Sequence, residues 1–209
     1  MAARASHEAD NGTRPSRNAW LMRRTPPDGY SWHMETFSIR LAPPYSLVKC
    51  HRDLGPPDAP LVLAFGDVFD PGYRAVLPVL EALVREGAAR VRYIHYAAPA
   101  GFDGMRRRET AAALEAAGRQ GAFWPYHRLL LTGTISLNRA GLAHRARFLG
   151  LDVDRFERDL ASADVVLTLE SDAQLADDLD VHHLPALVIG GRRYDGGMRR
   201  SDLHAALSS

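Results

Sequence analysis

Three places in this sequence carry side chains able to do chemistry. They are a carboxylate and a phenol three residues apart in Asp70-Pro71-Gly72-Tyr73, an adjacent pair in His182-His183, and a single thiol, Cys50. Asp70 stands where an apolar run, Leu61-Val62-Leu63-Ala64-Phe65, passes through Gly66-Asp67-Val68-Phe69 into a helical pattern. A carboxylate at such a corner can bind a ligand or move a proton. It also has a purely structural reading. Aspartate is among the best helix N-caps, worth about 1 kcal/mol over alanine, and proline is favoured at the first helical position. Asp70-Pro71 is therefore a helix start that needs no chemistry. Tyr73 falls one turn into that helix, where it packs in the core or lines a groove.

One thiol cannot form an internal disulfide, a Cys-x-x-Cys redox pair or a cysteine-based zinc site. Cys50 reads as a structural or incidental thiol, the alternative being an intermolecular disulfide or glutathionylation. Asp70 with His182 or His183 has the donor types of a metal site. Adjacent histidines on an extended segment point to opposite sides, so only one would face Asp70. Surface histidines are the simpler reading, and no metal site is expected. Trp124 and His127 fall on a helical pattern that reads as core.

The elements that must position these residues follow from periodicity. Residues 61–65 have the continuous apolar pattern of a strand buried on both faces. Residues 73–86 place Val76, Leu77, Leu80 and Leu83 at helical spacing, with Pro78 predicting a kink and Gly87 an end. Residues 91–97 are β-branched and aromatic and read as a second strand, so strand, helix and strand make a βαβ unit with parallel strands. Helical patterns follow at 104–118, 121–131, 138–149, 152–161 (capped by Asp152) and 164–178 (capped by Asp164). The chain then returns to a strand at 186–189, a Gly190-Gly191 hairpin turn, a partner strand at 192–194 and a last helix from 201, capped by Ser201. Residues 1–29 read as a disordered tail, 30–60 as a lead-in broken by Pro43-Pro44 and by Gly55-Pro56-Pro57-Asp58-Ala59-Pro60, and 61–209 as the folded domain with a helical insert at about 102–180.

Composition narrows the class. Of 209 residues, 46% are hydrophobic and 24% charged, which suits a soluble globular protein. The net charge is +1 from 26 basic and 25 acidic residues, so no nucleic-acid partner is expected. The short arginine clusters, such as Arg106-Arg107-Arg108, read as solvated surface. Residues 1–20 lack the apolar stretch of a signal peptide, and no run approaches the ~18 residues of a membrane span. A cytoplasmic protein is the expectation, with the oligomeric state open.

The order β-α-β, helical insert, β-β-α resembles the thioredoxin fold in its DsbA-like branch. Local stretches agree over about residues 41–209. The Gly55–Pro60 lead-in with the strand and Gly66-Asp67 resembles bacterial DsbA-like proteins, including thioredoxin-like domains fused to some sodium/proton antiporters. Gln120-Gly121-Ala122-Phe123-Trp124 with Tyr126-His127 resembles the family's insert, as does Gly150-Leu151-Asp152-Val153-Asp154-Arg155-Phe156. Leu184-Pro185-Ala186-Leu187-Val188-Ile189-Gly190-Gly191 resembles the segment around its cis-proline. Redox-active members carry Cys-Pro-x-Cys after the first strand. Here Asp70 replaces the nucleophilic cysteine and Tyr73 the resolving one. The resemblance implies an α/β thioredoxin fold and a groove formed by Asp70, Pro71, Tyr73, Leu184 and Pro185 that binds an extended peptide or a thiol-containing small molecule, with no cofactor. Aspartate has no sulfur, so thiol–disulfide oxidoreductase activity is expected to be lost. The alternative is a non-dithiol enzyme of the same fold, such as a glutathione-dependent transferase or isomerase, with Tyr73 as its candidate group, or an oxidoreductase by family membership only.

Overall fold

β2 (Leu61–Gly66) is the centre of the sheet, and its register explains the rest. In the computed structural model, which describes residues 50–96, 102–132 and 136–208, β2 runs parallel to β3 (Arg90–His95) and antiparallel to β4 (Ala186–Ile189). β5 (Arg192–Tyr194) extends the sheet beyond β4, and a two-residue strand, β1 (Asp53–Leu54), pairs antiparallel with β3. The order across the sheet is β1-β3-β2-β4-β5. Gly190 and Gly191 make the β4–β5 turn at φ of +59° and +78°. Both angles are positive, as a tight hairpin turn of the primed type requires.

β2 is buried on both faces because each face has its own core. Val62 and Ala64 point toward a core containing Leu80, Leu83, Phe123 and Phe156, while Leu63 and Phe65 meet Ile94, Leu175, Leu179 and Val188. The alternation along one strand divides the apolar residues between two layers. The helices are α1 (Pro71–Arg85), α2 (Phe102–Gly118), α3 (Phe123–Thr132), α4 (Arg139–Phe148), α5 (Val153–Asp159), α6 (Ala163–Asp178) and α7 (Arg200–Leu207). Helices α2 to α6 lie between β3 and β4, the position of the predicted insert, and the sheet has the β-α-β, then β-β-α, order of a thioredoxin fold.

Several details differ from the expectation. The second strand is one residue earlier at its start and stops at His95, and residue 97 lies outside the described set. Ser162, not Asp164, caps α6, its hydroxyl accepting from the Val165 N–H. Arg199 holds the N-cap position of α7 with no side-chain cap, so Ser201 falls inside the helix. β1 had no sequence signal. Two residues cannot show a period, and what fixes them is distant: Arg92 grips the Asp53 carboxylate through Nε at 2.5 Å and Nη2 at 2.8 Å. Such bidentate pairs are directional as well as strong. The tail at 1–29 and most of the lead-in, up to residue 49, fall outside the described residues.

Candidate functional site at the start of the first long helix

Antiparallel pairing fixes the neighbourhood of Asp70. Phe65 sits opposite Ala186. The chain leaving β2 and the chain entering β4 therefore meet at one end of the sheet. There the loop 67–70 and the start of α1 lie against Leu184-Pro185, whose peptide bond is cis. Gly72 is the point of contact. A Cβ placed on it would lie 2.7 Å from Pro185 Cδ and 3.3 Å from the Leu184 carbonyl oxygen. No other residue type fits that approach without a shift.

Asp70 closes the helix. Its backbone is extended at φ −81° and ψ 123°, and Oδ1 accepts the Tyr73 N–H at 2.7 Å. With Pro71 following, this is the cap-and-proline start that the sequence suggests. Asp70, Gly72, Leu184 and Pro185 are all partly exposed and Pro71 is exposed, so this corner reaches the surface.

Tyr73 does not share it. Its side chain is 1% exposed and turns into the core, against Tyr93 and His127. The hydroxyl lies 3.1 Å from His127 Nε2. Burial drives the phenol well above its ordinary pKa, with Glu81 adding to the shift. Buried in this way, the phenol does not reach a ligand at the surface and does not line the groove. His127 itself is fully buried, and burial, aided by His95 and Arg128, lowers its imidazole to about 3. It is a neutral partner of Tyr73 at ordinary pH. Its Nδ1 and the Trp124 Nε1 are buried without a hydrogen-bond partner among the described residues.

His182 and His183 are exposed. His182 pairs with Asp180 at 2.6 Å, not with Asp70. Among the described residues no group of three His, Cys, Asp or Glu side chains is placed to hold a metal ion. Cys50 is half-buried, with its thiol raised above its usual pKa by burial, and its Sγ lies 3.4 Å from Asp53 Oδ1.

Two features were not foreseen. Arg106 and Arg107 are more than solvated surface: both guanidinium groups lie over the Phe69 ring, 5.8 and 5.5 Å from its centroid, and Arg107 also binds the buried Asp67 carboxylate. Below the corner, Glu115 takes the Nε2 groups of His51 and His95 at 2.8 Å each, and Arg52 reaches Asp172 at 2.5 Å. Burial works to raise the Glu115 carboxyl, but the bonds from His51 and His95 with the Arg52 guanidinium outweigh it and hold it far below the carboxylate range. A lone glutamate among Ala111, Ala112, Ala113, Ala116 and Ala117 was the available signal.

The comparisons with known proteins agree with this geometry. The thioredoxin family model matches residues 134–204. The thioredoxin-like oxidoreductase of Silicibacter pomeroyi DSS-3 superposes with a TM-score of 0.65 at 26% identity, over 75% of this chain and 89% of that one. DsbA2 of Pseudomonas aeruginosa gives 0.63 at 24%, over 77% and 93%. Alpha-DsbA2 of Wolbachia pipientis, a thiol-disulfide exchange protein, gives 0.64 at 17%, over 75% and 84%. A curated relative, Na(+)/H(+) antiporter NhaA 1 of Salinispora arenicola, is 34% identical over 156 residues, 74% of this chain. The match spans only 24% of that relative's own length. The chain has a thioredoxin fold with a helical insert, similar to DsbA-like proteins. Asp70-Pro71-Gly72-Tyr73 stands at the helix start where redox-active members carry their cysteine pair.

Proposed function

We propose that this chain is a binding module in which the corner formed by Asp70, Pro71, Gly72, Leu184 and Pro185 takes an extended peptide or a thiol-containing small molecule without exchanging disulfides. The observation that carries the reading is Asp70 capping α1 while Gly72 packs directly on Leu184-Pro185. The surface is kept and the sulfur is not. In a redox site a thiolate at this helix start attacks a disulfide and a second thiol resolves the product. A carboxylate can do neither, and the single cysteine, Cys50, lies outside α1 in a loop before β1. Burial of Tyr73 in the core against His127 speaks against the glutathione-dependent alternative, whose candidate group it is.

The antiporter-named relatives suggest that such a module works beside a membrane transporter. No helix among the described residues is long and apolar enough to cross a membrane itself. Insulin reduction and thiol–disulfide exchange assays on purified protein test the central point. Rates equal to the protein-free background are expected, and dithiol-type turnover would overturn the reading.

A further inference from the structure

The carboxylates at the corner are already engaged. Asp67 binds Arg107, Asp70 takes the Tyr73 N–H, and Asp180 holds His182 at 2.6 Å and Arg193 at 3.4 Å. Two guanidinium groups flanking residues 68–69 have no carboxylate partner among the described residues. Arg74 donates to the carbonyls of Val68, at 3.2 Å, and Leu131, at 2.7 Å. Arg106 is exposed and lies over Phe69. Stacking on a ring holds a guanidinium in place and leaves its in-plane N–H donors able to take a carboxylate side by side. The segment 69–72 thus carries Phe69 and lies against Leu184-Pro185 at Gly72, beside two cations with no carboxylate partner among the described residues.

We infer that the occupant of this corner is an extended segment carrying acidic side chains next to an apolar one. The apolar side chain packs on Phe69 and Leu184-Pro185, one carboxylate meets Arg106, and a second meets Arg74. The inference rests on the peptide-binding reading above and names its chemical class. Charge complementarity of this kind acts on specificity and on the rate of encounter more than on raw affinity.

Fluorescence anisotropy with three labelled peptides tests it. They share Gly/Ser flanks and differ at their centres, Glu-Leu-Val-Glu, Gln-Leu-Val-Gln or Lys-Leu-Val-Lys. At about 50 mM salt the acidic peptide is expected to bind about fivefold tighter than the glutamine peptide, the gain of one or two exposed ion pairs, and the lysine peptide more weakly than both. At about 500 mM salt the difference should vanish. Arg106→Glu should abolish the preference. Equal binding of the acidic and glutamine peptides, or a preference that survives Arg106→Glu, overturns this inference and leaves the peptide-binding reading standing. No binding by any of the three overturns both.

Discussion

Asp70 is a carboxylate whose position explains it before any ligand does. Its Oδ1 satisfies one of the N–H groups a helix start leaves open. Asp70→Ala should therefore cost about 1 kcal/mol by chemical denaturation, and Asp70→Asn, which still caps, should cost little. The same spot should still favour an anion. In a Cys50→Ser background, Asp70→Cys is expected to give a thiol that ionises below the ordinary value of about 8.5, read from thiolate absorbance. Ionisation at or above that value would mean the terminus has lost the electrostatics of a redox helix. The aspartate-proline start was legible because it depends on neighbouring residues only. The fate of Tyr73 was not, because packing or groove-lining turns on His127, 54 residues away. That histidine makes its own prediction. With its folded pKa depressed to about 3 against an unfolded 6.5, its contribution is complete above pH 6.5 and is lost as pH falls toward 3. Between pH 6.5 and 4.5 the protein should lose about 2 kcal/mol that His127→Gln does not lose.

At the scale of elements, local signals placed the helices and the hairpin, and missed what distant residues decide. Ser162 and Asp164 are both capping types two positions apart, so the sequence alone left the first residue of α6 open. The Gly190-Gly191 turn was readable because few residue types tolerate two positive φ angles in succession. β1 was unreadable for the opposite reason, since its place comes from Arg92 across the sheet. The segment carrying it is tied down by charge. His51 and Arg52 lie just before β1 and meet Glu115 on α2 and Asp172 on α6. Removing one member of a buried charge set leaves the others desolvated and unpaired. Glu115→Gln should therefore destabilise by roughly 3 kcal/mol, shown by a lower denaturation midpoint at pH 7. The depressed carboxyl also fixes a sign: its contribution is complete above the ordinary carboxylate pKa and is lost as pH falls below about 4.5. A Glu115→Gln variant with wild-type stability would show that these pairs hold nothing together.

For the whole molecule, the sheet order explains why this corner forms whether or not it carries a cysteine pair. Parallel β2–β3 and antiparallel β2–β4 pairing bring residues 66–72 and 184–185 to one end of the sheet, whatever the side chains there do. Fold class and this meeting point were legible from element order and from the resemblance of short motifs. The arginine stack on Phe69 was not, because Arg106-Arg107-Arg108 looks like any solvated run until α2 is laid against the loop. Among the described residues there are competing surfaces, one a groove of about 670 Å³ lined by Leu61, Leu63, Val188 and Ile189 among others, another an open groove of about 270 Å³ lined by Met105, Leu160, Val165 and Leu169 among others. The central claim is that the retained corner is the binding surface. Amide chemical-shift perturbation by the glutamine-centred peptide tests it most directly. The account predicts that the largest shifts fall on Phe69, Gly72, Tyr73, Leu184 and Ala186. Shifts confined to Met105, Val165 and Leu169, or absent altogether at saturating peptide, would contradict it.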